Sequence, residues 1–433
     1  MGAKGSYLNG VIKNKGIVDE IGNIAEEGVR IVIGEIGKKL NPFPEEGFIY
    51  GKVSDYEVYD EGYSFFVDII NDEMIYYDNQ LFEGNKDDFN MFFYFMVIDT
   101  YNKNVIEKLK KRLDKEYYLF KISAYKEDNT HNDNLELTIG KIYFCASPMS
   151  VKKYVIEITD QISNYEEREL PHDIYIDDKL KFQDAVEENF RFSQKEIKSL
   201  KINHIGEGHN SYFELDTGER MFFDVGYTRS YKKDKSHVRS NFKFQEYNGV
   251  FLSHWDIDHY FAITLSKTKE ILSIPWVAPS HVNTVNLKRL CYLIYICSHK
   301  KIFLVENNMS GQIYSNNWLS IFKGNGANKN NSGLVLFIKG SKKVVSLGDL
   351  DYKYLDLTQL PFFEVDYLVV PHHGAEMDGS NPFTAKAGAK AIIPVGYNSI
   401  RYGHPRRKTI MDLNRNGFEI HRTDWQGELK INF

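Results

Sequence analysis

The second half of this chain repeats one pattern, a short apolar run that ends abruptly in a loop rich in histidine, aspartate and glycine. In LSHWDIDHYF at residues 252–261, two histidines and two aspartates crowd together directly after Val250, Phe251 and Leu252. Short apolar runs bounded by turn residues are typical of buried strands. The pattern therefore predicts a sheet whose strand ends carry polar side chains. These either hold metal or form polar surface loops.

The same pattern recurs elsewhere in this half of the chain. The segments KINHIGEGHNS, RMFFDVGYT, KVVSLGDLD, DYLVVPHHGAE and NSIRYGHPRR end in or contain His204, His209, Asp224, Asp349, His372, His373 and His404. A single histidine is more often structural than functional. A set of such residues at strand ends is stronger evidence, because a rigid sheet can aim them at one place.

The spacing inside HWDIDH suits a metal site. His254, Asp256 and Asp258 share one side if this segment is extended, and His259 begins whatever follows. One short loop could thus serve two adjacent metal positions. We expect Asp349 to bridge them and more distant histidines to complete the coordination.

The length of 433 residues is too great for one ordinary core, so at least two domains are expected. Residues 1–44 contain an amphipathic stretch, interpreted as a packed helix or as an oligomerising or membrane-surface helix. Residues 45–155 alternate strand patterns with one helical pattern, which predicts a β-rich domain similar to a small barrel or OB-fold. Residues 156–199 are predicted to be a helical connection, and residues 200–433 carry the chemistry.

Composition limits the class of protein. The formal net charge of −6 gives no global basic excess, so a nucleic-acid surface would have to be local. Three cysteines argue against a disulfide framework, and no run of 18 apolar residues offers a membrane span. Without a visible signal peptide, the expectation is a cytoplasmic protein with no integral membrane segment. Homo-oligomer formation is left open.

From about residue 200 the chain resembles the metallo-β-lactamase superfamily, whose usual loop is His-x-His-x-Asp-His. Here Asp256 replaces the second histidine, a form similar to the C-terminal nuclease-like domain of ComEC competence proteins. Seven further segments agree in order, namely GEGHNS, FFDVG, NNSGLVL, SLGD, VVPHHG, RYGHP and HRTDWQGELKI. The resemblance implies an α/β fold, an αββα sandwich of two mixed sheets, preceded here by the smaller β-rich domain.

The resemblance also implies a cofactor of two divalent metal ions. The implied ligands are His254, Asp256, Asp258, His259, Asp349, His372 and His373. His254, Asp256 and one of His372 or His373 are assigned to one ion, with Asp258 and His259 on the other. The added carboxylate favours manganese or magnesium, and zinc stays open. Metal-activated water would be the nucleophile.

Catalytic roles are assigned to Asp258 and to His404, which would orient or protonate the leaving group or contact a phosphate. Two basic segments, residues 228–244 and 401–408, suit a phosphodiester substrate, and solvated basic loops are the alternative interpretation. The predicted substrate-binding residues are His209, Asn331, Ser332, Arg401, Lys232 and Lys233.

The leading hypothesis is a metal-dependent phosphodiesterase that acts as a DNA nuclease. A second is a hydrolase of a cyclic nucleotide or another small phosphoester, which would need an enclosed pocket rather than an open basic groove. A third is a catalytically silent binding module. The nearly complete ligand set argues against the third, because a silent module has no chemical need for so many ligands.

Overall fold

A barrel and a two-sheet sandwich make up the computed structural model of this chain. The structure describes residues 46–59, 62–70, 94–124, 137–144, 151–162, 169–206, 208–227, 247–265, 270–396, 399–400 and 402–433. The predicted amphipathic segment, residues 1–44, lies outside the described residues.

The first domain is a closed antiparallel barrel in the order β1-β2-β3-β5-β6-β4. Its elements are β1 (Glu46–Tyr59), β2 (Gly62–Ile70), β3 (Tyr94–Thr100), α1 (Lys103–Lys111), β4 (Tyr118–Ala124), β5 (Leu137–Phe144) and β6 (Val151–Ile162). The helix stands between the third and fourth strands, and Asn102 caps its N-terminus. The described barrel has six strands where an OB-fold has five. The prediction of a β-rich domain matches this barrel, and the OB-fold label fits its closure but not its strand number.

A bulge in β1 decides which side chains leave the barrel. The register of β1 against β2 shifts between Val53 and Asp55. Val53 is fully buried in the barrel core. Strict alternation would turn Asp55 and Glu57 inward with it, and the extra residue turns them outward instead. Both carboxylates therefore face the second domain.

The second domain contains an eight-stranded sheet, called sheet one, with the order β21-β8-β9-β10-β11-β12-β13-β7. Its strands are β7 (Tyr175–Ile176), β8 (Ile197–Ile202), β9 (Asn210–Leu215), β10 (Arg220–Val225), β11 (Gly249–Phe251), β12 (Trp276–Pro279), β13 (Ile302–Val305) and β21 (Leu429–Asn432).

Sheet two has seven strands in the order β14-β15-β16-β17-β18-β19-β20. These are β14 (Gly311–Ser315), β15 (Leu319–Lys323), β16 (Leu334–Lys339), β17 (Lys343–Ser346), β18 (Glu364–Val369), β19 (Thr384–Ile393) and β20 (Glu419–Arg422). The helices of this domain are α2 (Lys179–Phe190), α3 (Ile257–Tyr260), α4 (Val285–Cys297), α5 (Arg407–Arg415) and α6 (Thr423–Gln426).

The two sheets pack face to face, with helices on their outer faces. One apolar core joins Phe213 and Phe251 of sheet one to Leu336 of sheet two. On the far side of sheet one, Trp276 packs in a cluster that includes most of the apolar face of α4. On the far side of sheet two, a separate apolar cluster includes Leu413 of α5. These layers confirm the αββα sandwich, because each sheet is apolar on both faces.

The domain boundary differs from the prediction for residues 156–199. The barrel strand β6 continues to Ile162, whereas β7 pairs with β13 inside sheet one. Phe182, Val186 and Phe190 of α2 are buried in the core between the sheets. Much of the predicted connection therefore belongs to the sandwich, because its apolar helix face is needed to cover that core. Among the described residues, the structure has no helix long and apolar enough to cross a membrane.

The barrel is joined to the sandwich by a buried polar contact at Asp68. The Tyr117 hydroxyl donates to Asp68 Oδ2 at 2.5 Å, and the Asn286 amide of α4 donates to Asp68 Oδ1. Burial raises the pKa of Asp68 to about 6, against the hydrogen bonds from Tyr117 and Asn286 and the charge of Arg289. The folded protein therefore holds a proton on Asp68 more tightly than the unfolded chain.

This raised pKa predicts a pH dependence of stability. Because the folded pKa of Asp68 is above the unfolded value, its contribution is full below about pH 4 and is lost as pH rises through about 6. Relative to Asp68→Asn, the wild-type protein should lose roughly 2–3 kcal/mol of unfolding free energy between pH 4 and pH 7. Urea unfolding of both proteins at several pH values measures this difference. A difference that does not change with pH would contradict it.

Candidate metal centre

The polar strand-end residues meet at one edge of the sandwich. In sheet one, β10 and β11 run parallel, and in sheet two β17, β18 and β19 run parallel. Asp224 lies next to the end of β10, and the loops after the other strands carry His254, Asp349, the pair His372 and His373, and His404. Ligand sites of open α/β sheets lie outside the carboxyl ends of parallel strands. The same arrangement here collects the side chains of both sheets around one cleft.

The loop after β11 presents its ligands in two ways. Asp256 has an extended backbone, and the His254 Nε2 and Asp256 Oδ2 atoms lie 3.0 Å apart. Asp256 then precedes the short helix α3, which contains Asp258 and His259. Because a helical turn rotates successive side chains by about 100°, Asp258 and His259 reach different neighbours.

A buried carboxylate, Asp224, holds this loop from below. It accepts hydrogen bonds from the Ser253 backbone N–H at 2.6 Å, the Ser253 hydroxyl at 2.8 Å and His259 Nδ1 at 2.8 Å. His209 Nδ1 lies 2.9 Å from the same carboxylate. Burial opposes the charge of Asp224, yet His259 and His209 hold its pKa well below the ordinary range. With its Nδ1 proton directed at Asp224, His259 turns Nε2 towards the cleft.

Among the described residues, three groups of ligand-type atoms contain His259; one is formed with His209 and Asp224 beneath the loop, and the other two lie at the cleft. Of the cleft groups, one is His254, His259 and Asp349, and the other is Asp258, His259 and His373; within each, the atoms lie within 4.8 Å of one another. His259 Nε2 is 3.2 Å from Asp349 Oδ1, and His373 Nε2 is 2.9 Å from Asp258 Oδ2. Since Asp349 Oδ2 also lies 3.6 Å from His254 Nε2, this carboxylate stands between the imidazoles.

These groups fit a divalent metal ion. His259 Nε2 is buried and lies 3.2 Å from Asp349 Oδ1, so this nitrogen faces the cluster. His373 Nδ1 donates to the Pro394 carbonyl at 2.9 Å, which leaves its Nε2 for a ligand. Imidazole nitrogen and carboxylate oxygen are the donors that zinc and manganese accept.

The charges of the cluster also call for a cation. Burial disfavours the charged form of His259, but Asp349, Asp224 and Asp258 raise its pKa well above the ordinary value. Conversely, burial disfavours the charged form of Asp349, and His259 and His372 nevertheless hold its pKa well below the usual range. Several buried carboxylates therefore face one another, and positive charge from protons or a metal ion is required to keep them together.

The two adjacent histidines after β18 point to different partners. Both have a left-handed backbone, with φ of 49° at His372 and 53° at His373. His373 joins Asp258 and His259, whereas His372 Nε2 contacts Glu57 Oε1 of the barrel at 2.8 Å. The sequence-based assignment of one of these histidines to the shell of His254 and Asp256 thus differs from the observed grouping.

The barrel residues facing the cleft are the ones that sequence reasoning missed. Glu57 lies among the sandwich histidines, and Asp55 Oδ2 accepts from Lys329 Nζ at 3.0 Å. Lys329 also contacts Asp256 and is only 9% exposed. Burial, with Asp256 nearby, raises the pKa of Asp55 to about 7 despite the opposing Lys329. Strand β1 carries no sequence signal for such a role, because its orientation depends on the bulge and on domain packing.

Three predicted substrate-binding residues lie away from the cleft. His209 is 3% exposed and stacks against His259 with ring centroids 5.4 Å apart. The Asn331 amide donates to Asp351 at 3.0 Å and accepts from the Asp351 backbone at 2.9 Å. Ser332 is fully buried. Internal contacts thus occupy the side-chain amide of Asn331, and the substrate-binding roles assigned to these three residues stay predictions.

Asn331 and Ser332 have a structural use in the same loop. Their contacts fold residues 325–333 into a tight turn, in which the Gly326 N–H donates to the Asn331 carbonyl at 2.8 Å. This turn places Lys329 over Asp256. The other predicted substrate-binding residues, Arg401, Lys232 and Lys233, lie outside the described residues.

Gly226 allows the ligand loop to approach β10. A Cβ atom at this position would lie 1.7 Å from the Asp258 carbonyl oxygen, whereas a Cβ at Gly218 would meet nothing within 4 Å. Gly226→Ala should therefore cost about 3 kcal/mol of unfolding free energy and weaken metal binding. Gly218→Ala, which has only its φ of 86° to accommodate, should cost about 1–2 kcal/mol and leave metal binding intact. Chemical unfolding and metal titration of both variants measure this, and equal effects would contradict it.

The fold and the site together define an αββα sandwich with imidazole and carboxylate ligands at the carboxyl ends of its strands. No family model matches the chain. ComE operon protein 3 of Bacillus subtilis (strain 168) is 33% identical over 111 residues, which is 25% of this chain and 14% of that protein. The match thus spans a small fraction of the relative.

Solved structures with a detectable likeness are distant. Zn(2+)-bound PqqB from Methylobacterium extorquens has 9% identity and a TM-score of 0.31, covering 52% of this chain and 87% of its own. A long form RNase Z from yeast has 11% identity and a TM-score of 0.29, covering 69% and 48%. A metallo-β-lactamase from Cronobacter sakazakii has 9% identity and a TM-score of 0.20, covering 39% and 64%. At these TM-scores the sandwich assignment depends on the strand order described above.

Proposed function

We propose that this chain is a metal-dependent hydrolase of phosphodiesters, of the metallo-β-lactamase type and similar to the ComEC nuclease-like domain, and that DNA is its substrate. The observation that carries the proposal is the pair of ligand groups that share His259 and border Asp349. Two adjacent groups of this kind suit the two-ion arrangement used for in-line displacement at phosphorus. Manganese is the first metal to test, with zinc and magnesium beside it.

The residues of the chain have separable tasks in this proposal. Asp224 and Pro394 accept from the Nδ1 atoms of His259 and His373, so that the Nε2 atoms face the cleft and could bind a metal ion in place of a proton. Lys329 holds one oxygen of Asp256. A divalent ion bound here would supply Lewis acidity to a phosphoryl oxygen and lower the pKa of a water molecule. Trp255 and Phe66, which line the cleft, would limit the entry of bulk water.

Support for DNA comes from local charge. Arg406 and Arg407 follow His404 at the rim, and the Arg406 guanidinium donates to the Val58 carbonyl of the barrel at 3.4 Å. The predicted basic segment, residues 228–244, begins shortly after β10, the strand that contains Asp224. Cations beside a carboxylate-rich metal site favour a polyanionic substrate, because they offset its phosphate charge.

A small phosphoester is the second candidate, and the shape of the cleft favours it. The barrel and the sandwich enclose about 70 Å³ between them. Ligand pockets are more commonly about 300–1,000 Å³. A polynucleotide would therefore require the barrel to move or the phosphodiester to enter at the rim, whereas a small molecule would require a lesser opening.

Hydrolysis assays distinguish these candidates. Single-stranded DNA, duplex DNA and cyclic dinucleotides are incubated with manganese, magnesium or zinc, and Asp258→Ala serves as the inactive comparison. Metal-dependent DNA cleavage that Asp258→Ala lacks, with binding that weakens steeply as salt rises, supports the nuclease. Turnover of the cyclic dinucleotide alone supports the second candidate. No turnover with any metal contradicts both and leaves the binding module.

A further inference from the structure

The barrel contributes a ligand-type side chain to a further group of potential metal ligands, which does not include His259. Glu57 of β1, His372 and His404 have ligand atoms within 4.8 Å of one another. Glu57 Oε1 is 2.8 Å from His372 Nε2, and Glu57 Oε2 is 3.6 Å from His404 Nε2. This group lies across the domain interface, so neither domain could form it alone.

The burial and hydrogen bonding of His404 are an independent observation that points to a bound cation. Its side chain is 5% exposed, and neither Nδ1 nor Nε2 makes a hydrogen bond with any residue that the structure describes. Leaving buried polar groups without partners is costly, because they have lost their hydrogen bonds to water. A cation beside Glu57 would give the His404 lone pair a partner.

The backbone directs His372 to the same place. Its N–H is 3.2 Å from Asp349 Oδ1, and its left-handed φ of 49° turns the imidazole away from His373 and towards the barrel. The ring centroids of His372 and His404 are 5.6 Å apart. His372 Nε2 is also 3.8 Å from Asp349 Oδ2, so this group adjoins the groups around His259.

Contacts made by neighbouring barrel residues fix the position of Glu57. Two residues before it, Asp55 is paired with Lys329. One residue after it, the Val58 carbonyl accepts from Arg406. On β3, Phe95 packs edge-on against Phe261, with ring centroids 6.3 Å apart. These contacts fix β1 against the sandwich, so that Glu57 is presented to His372 and His404 in a defined geometry.

We propose that Glu57, His372 and His404 bind a divalent cation that spans the barrel and the sandwich, so that metal binding fastens the two domains together over the cleft. The inference depends on the proposed metal centre and extends it to the barrel. It reassigns His404 from proton transfer to ligation. Mixed imidazole and carboxylate donors suit manganese or zinc. Metal binding at this site would then be coupled to the opening of the cleft between barrel and sandwich that a substrate needs.

The test uses the full chain and Mn²⁺ as the probe. Equilibrium dialysis counts bound Mn²⁺ and measures each dissociation constant for wild type, Glu57→Gln, His404→Gln and the control Glu46→Gln. Replacing Glu57 by glutamine preserves the size of the side chain and removes its charge, and Glu46 is an exposed carboxylate on the same strand. Glu57→Gln and His404→Gln should each raise the dissociation constant of one bound Mn²⁺ by at least about 10-fold. Replacing even a residue that only orients a ligand commonly has an effect of this size. Glu46→Gln should match wild type.

Hydrogen–deuterium exchange gives a readout that does not depend on activity. Mn²⁺ should slow exchange of the β1 amides in wild type and in Glu46→Gln, but not in Glu57→Gln, while the other barrel strands confirm that the variant is folded. Unchanged Mn²⁺ affinity and protection in Glu57→Gln would overturn the inference and leave an ion pair across the interface. If His404→Gln loses Mn²⁺ binding and Glu57→Gln does not, the inference is likewise overturned, because Glu57 would then not be a ligand. If the wild-type protein binds none of Mn²⁺, Zn²⁺ and Mg²⁺, the proposed function itself would instead be overturned.

Discussion

Asp349→Ala is expected to abolish hydrolysis and to weaken metal binding by more than about 100-fold. Removing a residue that only orients a ligand commonly costs 10–100-fold in metal affinity, and Asp349 itself stands between the imidazoles. Its carboxylate oxygens lie 3.2 Å from His259 Nε2 and 3.6 Å from His254 Nε2. Without it, the two ligand groups lose the oxygen donor between them. Metal titration followed by the DNA and cyclic dinucleotide assays measures the effect.

Asp356→Ala is the matched control for this prediction. Asp356 is also an aspartate in the segment after β17, but it caps a short helix at the surface, accepting from the Thr358 N–H at 3.0 Å. Its loss should cost at most about 1 kcal/mol of stability and leave metal affinity unchanged. If Asp349→Ala retains metal binding within a fewfold of Asp356→Ala, the proposed central position of Asp349 is wrong.

Asp224→Asn is expected to combine a loss of stability with a loss of metal affinity. The carboxylate is fully buried and is shared by Ser253, His259 and His209. Leaving a buried histidine without its charged partner costs roughly 3–5 kcal/mol. Metal affinity should fall about 10–100-fold, because the His259 ring and its Nδ1 proton lose their orienting acceptor.

The backbone makes asparagine the appropriate replacement. Asp224 has a φ of 64°, a region that asparagine tolerates better than alanine does. Asp224→Asn therefore tests the charge and not the turn. Asp184→Asn, on the exposed face of α2, serves as the control and should change unfolding free energy by less than about 0.5 kcal/mol. Urea unfolding with and without Mn²⁺ measures the unfolding free energy and the Mn²⁺ affinity. If Asp224→Asn is as stable as Asp184→Asn and binds Mn²⁺ as tightly, the proposed role of Asp224 is wrong.

The sandwich and the polar side chains at its strand ends could be predicted because they are local features of the sequence. A buried strand leaves a continuous apolar run, and a polar loop directly after it must lie at a sheet edge. HWDIDH and the single aspartate of SLGD follow this rule. The roles of Asn331 and Ser332 could not be predicted in this way, since a polar residue at a strand start looks the same whether it faces a substrate or closes a turn.

Asp224 shows an intermediate case. Its place at the end of an apolar strand was evident from RMFFDVGYT, but its task depends on contacts with Ser253, 29 positions away, and with His259, 35 positions away. A carboxylate that binds metal and one that holds a metal-binding histidine have the same local sequence pattern. Only the direction of the side chain distinguishes these two roles, and that of Asp224 points to Ser253 and His259 of the loop.

The sequence by itself determined the order of strands and loops, the ligand types and the change from imidazole to carboxylate at Asp256, because these depend on periodicity and side-chain chemistry. Tertiary structure alone decided that His373 faces Asp258 while His372 faces the barrel. It also decided that Glu57, 315 residues from His372 in the chain, belongs to the same cleft. The reason is physical: a one-residue bulge in β1 and two left-handed residues after β18 set these directions, and neither is specified by hydrophobic pattern.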